Sequence, residues 1–163
     1  MRRRDFLWAC GGVAFAPLAP NIGFADARRV VEYRLRPSAD TFPLVGEGYP
    51  ETPVWCYDGL VPGPELRLRQ GDRLRVVVEN GLSQPTSVHW HGLRLPNAMD
   101  GVPRLTQAPI EPGERFVYEF DPPDAGTFWY HPHFRGFEQI GRGLAGPLIV
   151  EEPTPIEVDR DVT

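Results

Sequence analysis

All four histidines of this 163-residue chain lie in two His-X-His pairs, His89-Trp90-His91 and His131-Pro132-His133. Successive side chains of a β-strand point to opposite faces, so each pair can present two imidazoles to one site. Neutral imidazole is the commonest nitrogen ligand for copper and zinc. The alternative is that one pair or both are structural histidines that hydrogen-bond a buried turn. Because the two pairs account for every histidine, the spacing favours a metal site.

The length and composition favour one domain built from short strands. A chain of 163 residues has room for a single core of ordinary size. Its 19 prolines and 17 glycines separate short apolar runs, and this pattern indicates many strands joined by turns. The formal net charge of −5 disfavours nucleic acid as a partner.

The elements that must carry the histidines can be placed by alternation of apolar and polar residues. The interval after the first strand, up to residue 53, is expected to be irregular. Residues 70–72, Gln-Gly-Asp, are predicted to form a turn between two strands. No segment has the pattern of a convincing amphipathic helix. The sequence therefore predicts an all-β Greek-key sandwich or barrel. The predicted strands fall within residues 30–35, 66–69, 74–78, 87–93, 116–120, 126–130 and 148–150.

The first 25 residues are typical of an export signal. Residues 2–7, Arg-Arg-Arg-Asp-Phe-Leu, fit a twin-arginine pattern, and a short apolar stretch follows them. Small residues at Gly23 and Ala25 suit a cleavage site, while Pro17 and Pro20 argue against a retained membrane helix. We therefore expect residues 1–25 to be a twin-arginine-type signal peptide, the mature protein to lie in the periplasm, and no membrane partner.

Cysteine use adds little to this picture. Cys10 lies in the expected signal, which leaves Cys56 without a partner for an internal disulfide. Cys56 could serve as a copper thiolate, but Trp55-Cys56-Tyr57 has no histidine near it in the sequence. We therefore favour a buried, inert thiol.

Five stretches of the chain carry a family resemblance. They are Tyr-Asp-Gly-Leu-Val-Pro-Gly-Pro at 57–64, His-Trp-His-Gly-Leu at 89–93, Met-Asp-Gly-Val-Pro at 99–103, Asp-Ala-Gly-Thr-Phe-Trp-Tyr-His-Pro-His at 124–133, and Gly-Leu-Ala-Gly-Pro-Leu-Ile-Val at 143–150. In this order the stretches resemble the N-terminal cupredoxin, or plastocyanin-like, domain of the multicopper oxidases, the laccase family. On this resemblance we divide the chain into a signal at 1–25, a cupredoxin domain at 28–153, and a tail or the start of a linker at 154–163.

The resemblance implies a ligand for each imidazole. In this family two His-X-His elements of the first domain and two of the last share eight histidines among three copper ions that reduce dioxygen to water. Carried over by position, His89 would bind the type 2 copper and His91 one type 3 copper. His131 would share that type 3 ion with His91, and His133 would bind the second type 3 ion. Strands would hold these ligands in place before oxygen arrives.

The resemblance also suggests roles for residues near the ligands. Asp100 follows the first pair where the family has an acidic residue, so we expect it to orient ligands and to help move protons to reduced oxygen. Asp100-Gly101 is equally a common turn dipeptide, and a turn alone is the alternative. Trp90 should point away from the metal. Trp129 and Tyr130 are expected to pack the core and shield the site.

The given sequence also departs from a complete family member. No histidine follows His133, and Cys56 lacks the histidine partners of a type 1 copper site. We therefore expect no oxidase activity from the chain alone, and low solubility or oligomerisation of the lone chain. Three explanations stay open: a truncated or split oxidase completed by a C-terminal cupredoxin domain or a second chain, a stand-alone periplasmic copper-binding protein, and self-association of two half-sites. The affinity order of divalent metals favours copper over zinc.

Overall fold

The structure is a computed structural model, and it describes residues 28–154 and 157–163. The expected signal peptide, residues 1–25, lies outside these residues. In the described part, nine β-strands dominate, with one short helix and one 3₁₀ turn. The strands are β1 Val30–Leu35, β2 Pro37–Phe42, β3 Thr52–Tyr57, β4 Leu66–Arg69, β5 Arg73–Glu79, β6 His89–His91, β7 Arg115–Phe120, β8 Gly126–His131 and β9 Gly146–Glu151; the helix α1 is Gly136–Gln139 and the 3₁₀ turn is Asn97–Met99.

Two main sheets form a sandwich. One sheet has the order β1-β5-β7, with β1 parallel to β5 and β7 antiparallel to it. The other has the order β4-β9-β8-β6, in which only the β4 and β9 pair is parallel. Strands β2 and β3 form a separate antiparallel pair. The prediction of an all-β sandwich is confirmed.

The core lies between the two main sheets and is rich in aromatic rings. Trp90 of β6 is fully buried, and its ring meets Tyr118 and Phe120 of β7 at centroid distances of 5.4 and 5.2 Å. Edge-to-face contacts at such distances add to the stabilisation that comes from burying the rings. Tyr130 of β8 lies on the same side as Trp90 and is also fully buried. The aromatic core therefore holds β6 and β8 against the opposite sheet.

The expectation of an irregular interval up to residue 53 is wrong. Residues Pro37–Phe42 and Thr52–Tyr57 form the antiparallel pair β2 and β3, in register from Pro37 opposite Tyr57 to Phe42 opposite Thr52. The sequence Pro-Ser-Ala-Asp-Thr-Phe of β2 lacks apolar alternation because most of this strand stays outside the core. Pairing with β3, rather than burial, makes it a strand.

The predicted turn at residues 70–72 joins the two main sheets. Its flanking strands β4 and β5 do not pair with each other, because β4 pairs with β9 while β5 pairs with β1 and β7. The carboxylate of Asp72 accepts a hydrogen bond from the Arg69 backbone N–H at 2.9 Å and another from Arg29 at 3.1 Å. These bonds fix the turn. Among the described residues, no helix is long and apolar enough to span a membrane.

Candidate metal centre

Strand pairing brings the two histidine pairs together. Strands β6 and β8 are antiparallel, and their register sets His89 opposite His131 and Trp90 opposite Tyr130. Because Trp90 and Tyr130 enter the core, the side chains on either side of them must point to the other face of the sheet. His89 and His91 therefore share one face, and Trp90 points away from it, as the alternation predicts.

The four imidazole rings form one cluster. The His89 ring centroid lies 5.8 Å from that of His91, 5.3 Å from that of His131 and 4.6 Å from that of His133. The candidate ligand atoms of His89, His91 and His131 all lie within 4.8 Å of one another. Within residues 28–154 and 157–163, this is the one group of three or more potential metal-ligating side chains. His133 stands beside this group rather than in it.

Backbone carbonyls select the nitrogen that two of the imidazoles offer. His89 Nδ1 lies 2.7 Å from the Asp100 carbonyl oxygen, and His131 Nδ1 lies 3.0 Å from the Pro132 carbonyl oxygen. Because a carbonyl only accepts hydrogen bonds, each Nδ1 must carry the proton, which leaves each Nε2 with a free lone pair. Metal-binding histidines commonly donate their other N–H in this way. His89 and His131 are therefore oriented as ligands.

His91 faces His131 at short range. The His91 Nδ1 atom lies 3.3 Å from His131 Nε2. Two imidazole nitrogens at this separation can share a proton, or both can point their lone pairs at one ion. His91 is exposed whereas His131 is buried, so the pair lies where the cluster meets the surface.

Burial favours the neutral form of the second pair. Desolvation lowers the pKa of the His131 imidazole below its ordinary value, and the neighbouring histidines act in the same direction. The pKa of His133 is also lowered, first by desolvation and then by His89, while the Asp100 carboxylate opposes the shift. Metal binding requires the neutral imidazole. The electrostatics of the site therefore suit a ligand role for both residues.

Asp100 lies at the first pair through its backbone as well as its side chain. Its carbonyl oxygen accepts from His89 Nδ1, and its carboxylate Oδ1 lies 3.4 Å from the same nitrogen. Asp100 also caps the 3₁₀ turn Asn97–Met99 at its C-terminal end, so its backbone belongs to a turn while its carbonyl contacts His89. The shorter contact is made by the carbonyl, which the residue type could not indicate.

Gly101 is a site residue that sequence reasoning missed. It has φ +73°, and a Cβ atom built there would overlap the Val88 carbonyl and lie 2.9 Å from the backbone nitrogen of His89. Only glycine lets the chain approach the strand so closely in this conformation. The dipeptide Asp100-Gly101 indicated a turn, but the approach to Val88 arises only in the fold.

Trp129 covers one side of the histidine cluster. Its ring centroid lies 4.0 Å from that of His131 and 4.9 Å from that of His91, with tilted planes. Tyr130 instead enters the core, where its hydroxyl donates a hydrogen bond to the Pro64 carbonyl at 2.7 Å. The expectation that both residues pack the core and shield the site therefore separates in the structure: Trp129 lies on the histidines and Tyr130 lies in the core.

The donor set fits copper. The cluster consists of imidazole nitrogens, two of them already oriented, and copper binds such nitrogens well. Cys56 takes no part in it: the residue is buried in β3, where its Sγ lies 3.6 Å from the Ser38 hydroxyl. No thiolate and histidine combination typical of a type 1 copper site occurs among the residues that the structure describes.

Comparisons with known proteins point the same way. The multicopper oxidase family model matches residues 42–155. The chain is 47% identical over 106 residues to copper resistance protein A of Pseudomonas syringae pv. tomato, which covers 64% of this chain and 17% of that protein. It is 40% identical over 148 residues to laccase-2 of Botryotinia fuckeliana, which covers 89% of this chain and 24% of that protein.

Solved structures share the fold. A crystal structure of a multi-copper oxidase from Pseudomonas thermotolerans aligns with a TM-score of 0.76 and 52% sequence identity, covering 79% of this chain and 31% of that one. This similarity confirms the cupredoxin type of the sandwich. The chain spans between 17% and 24% of the length of the curated relatives named above.

Proposed function

This chain belongs to the multicopper oxidase family, and we propose that it supplies half of the histidine ligands of a trinuclear copper cluster that reduces dioxygen to water. The observation that carries the proposal is the group of His89, His91 and His131, whose candidate ligand atoms lie within 4.8 Å of one another. His133 adjoins this group. The other half of the ligands would come from a further cupredoxin domain or from a second chain.

Each imidazole has an assigned role in this proposal. His89 would bind the type 2 copper, His91 and His131 would bind one type 3 copper, and His133 would bind the second. The distance of 3.3 Å between His91 Nδ1 and His131 Nε2 supports a shared ion for these two residues. The Nδ1 hydrogen bonds of His89 and His131 support Nε2 as the atom that each would offer.

The residues around the ligands would hold geometry and protons. Bound copper would supply the one-electron chemistry that dioxygen reduction needs. The Asp100 carbonyl holds the His89 ring, and the Asp100 carboxylate, 3.4 Å from His89 Nδ1, is placed to hold a proton near the cluster. Trp129 keeps water away from one side of His131. Electrons from a donor would enter through a type 1 copper site outside this chain.

A stand-alone copper-binding protein is the second candidate function. Three imidazole nitrogens in one group can hold a single ion without a second domain. Two of the relatives, from Pseudomonas syringae and Escherichia coli, are named copper resistance protein A. In this candidate the chain would bind copper and carry out no oxidation.

Copper titration of the chain, alone and with a candidate partner domain, separates the two functions. Isothermal titration calorimetry gives stoichiometry and affinity, and electron paramagnetic resonance reports the nitrogen ligands of copper(II). The half-site proposal predicts that oxidase turnover appears only with the partner. Tight binding without any turnover, even with a partner that carries the remaining ligands, would instead support the stand-alone protein. Cys56→Ala is a matched control that should leave copper binding unchanged, because Cys56 lies outside the cluster.

Export to the periplasm by the twin-arginine route is part of the same proposal. It rests on residues 2–7 and the apolar stretch that follows. Replacing both Arg3 and Arg4 by lysine should leave the full-length precursor in the cytoplasm, as cell fractionation and immunoblotting would show. Processed protein in the periplasm despite this change would contradict the route.

A further inference from the structure

Strand pairing accounts for three of the four imidazoles but not for His133. The pairing of β6 with β8 sets His89 opposite His131 and His91 opposite Trp129, and β8 ends at His131. His133 lies two residues beyond that end. Its ring nevertheless lies 4.6 Å from the His89 ring, the shortest centroid distance between any two of the four histidines. Contacts other than the sheet must hold it there.

A buried amide connects the segments that carry the two residues. Gln139, at the end of α1, is fully buried. Its Oε1 accepts a hydrogen bond from the Thr86 hydroxyl at 2.7 Å, and its Nε2 donates one to the Pro85 carbonyl at 2.9 Å. Residues 85 and 86 lie four and three residues before His89, the first residue of β6. Beside them, the Ser87 hydroxyl accepts a hydrogen bond from the His133 backbone N–H at 3.2 Å.

Both ends of this connection are anchored in the fold. Thr86 exchanges two backbone hydrogen bonds with Ile110, at 3.0 and 2.9 Å. On the other side, the Gln139 carbonyl accepts a hydrogen bond from the N–H of Leu144 at 3.1 Å, and Leu144 is fully buried in the core. The amide therefore joins two parts of the fold that other hydrogen bonds also hold, and it fixes one spacing between them.

Gln139 places a polar side chain at a fully buried position. Hydrogen bonds at both ends of its amide offset the cost of desolvation, but an apolar side chain of similar size would fill the same space without needing them. Polar groups in a core can instead fix one arrangement among several.

We propose that Gln139 is a positioning residue: through Thr86 and Pro85 it sets the segment that carries His133 against the segment that carries His89. The arrangement of the metal-free site follows from this proposal directly. Its consequence for copper rests on the proposed function, because only that function makes His133 a ligand.

Isosteric substitutions separate positioning from mere stability. Thr86→Val leaves Gln139 Oε1 without its donor, and Gln139→Met leaves both the Thr86 hydroxyl and the Pro85 carbonyl without their partner, so each should lower the melting temperature of the 163-residue chain. The double variant removes the hydroxyl and the amide, leaves only the Pro85 carbonyl unpaired, and should recover part of that stability. Positioning predicts that the double variant still loses the nuclear Overhauser contacts between the His89 and His133 rings. It also predicts weaker copper(II) binding, by up to about tenfold, the loss expected when His133 itself is removed. Thr86→Ser keeps the hydroxyl and is the matched control.

Two readouts make the outcomes distinct. Contacts between the His89 and His133 rings are measured by NMR on the metal-free chain, in which four histidines give few signals to assign. If the double variant keeps these contacts and its copper affinity, Gln139 is only a core residue and the proposal is wrong. If the parent chain binds no copper, the proposed function fails while the NMR result still decides the role of Gln139.

A second variant covers the possibility that the double variant does not fold. Ser87→Ala removes the acceptor of the His133 N–H with a small change in volume. It should weaken the same ring contacts while unfolding stays cooperative. Ring contacts that are unchanged in Ser87→Ala and in Thr86→Val would overturn the proposal.

Discussion

The two His-X-His pairs have the same spacing and are held in different ways. The pair His89-Trp90-His91 lies entirely within β6, and its central residue enters the aromatic core. The pair His131-Pro132-His133 begins at the last residue of β8 and continues beyond the sheet. Burial of the Trp90 ring thus fixes the backbone of the whole first pair, whereas His133 of the second pair depends on hydrogen bonds outside the sheet. The same sequence spacing can therefore conceal unequal rigidity.

The largest expected difference is in the free energy of unfolding, when the central residue of each pair is replaced by alanine. Trp90→Ala removes a fully buried ring that contacts Tyr118 and Phe120, and should lower the free energy of unfolding by about 4 kcal/mol. Pro132→Ala removes far less volume and should lower it by about 1 kcal/mol, chiefly by freeing the unfolded chain. Urea denaturation measures both. Equal losses would contradict the difference between the pairs.

A second test acts on the backbone beside the first pair. In Gly101→Ala the new Cβ would overlap the Val88 carbonyl, so the turn must move and His89 loses its contact with the Asp100 carbonyl. We expect a loss of about 3 kcal/mol in the free energy of unfolding. Gly113→Ala is the matched control, because Gly113 also has a positive φ, +81°, but its Cβ would meet nothing within 4 Å. It should cost about 1 kcal/mol.

If Gly101→Ala and Gly113→Ala destabilise the chain equally, the close approach of Gly101 to Val88 makes no separate contribution to the free energy of unfolding. Copper titration of the same two variants tests whether this approach also affects the histidine cluster. Only Gly101→Ala should weaken copper binding, because only Gly101 lies against the strand that carries His89.

A third test compares the two histidines of the second pair. His131 belongs to the group of three candidate ligands, and its Nε2 lies 3.3 Å from His91. His131→Ala should weaken binding of the first copper ion about 100-fold, and His133→Ala about tenfold or less, which correspond to about 2.7 and 1.4 kcal/mol. Isothermal titration calorimetry measures both affinities. The reverse order would show that His133, and not His131, completes the tight site.

The smallest expected effect is on how the stability of the fold depends on pH, through an ion pair that lies outside both histidine pairs. Hydrogen bonding to the Arg29 guanidinium lowers the pKa of the Asp72 carboxyl below its ordinary value. A lowered folded-state pKa stabilises the fold above the unfolded value of about 4, and this stabilisation is lost as the pH falls through the folded-state value.

Arg29→Gln should therefore weaken the dependence of the urea midpoint on pH in the acid range, while copper affinity at pH 7 stays unchanged. An equal slope in the variant and the parent chain would show that the ion pair does not contribute. A change in copper affinity would show that the turn at residues 70–72 and the histidine cluster are coupled.

The difference between the pairs also explains what could be predicted from sequence. Alternation located β5 and β7, and the i and i+2 spacing correctly paired His89 with His91 on one face. Strand β2 was missed because its residues gain order from pairing with β3 rather than from burial.

The supports of the site were missed for another reason. Gly101, Ser87 and Gln139 each act on a backbone or side-chain group that is distant in sequence or meets them only in the fold. Residue type and local spacing contain no signal for such contacts. Ligands can therefore be identified from their own chemistry, whereas the groups that position them can be identified only from the three-dimensional structure.

The proposal that this chain holds one half of a copper cluster can be tested by a copper(II) titration of the chain followed by electron paramagnetic resonance, with oxygen consumption measured before and after a second cupredoxin domain is added. We expect nitrogen-ligated copper that binds about 100-fold more weakly in His131→Ala. We also expect no oxygen consumption by the chain alone, and oxygen consumption when the partner is present. Oxygen consumption by the copper-loaded chain alone, or copper binding that survives removal of all four histidines, would contradict it.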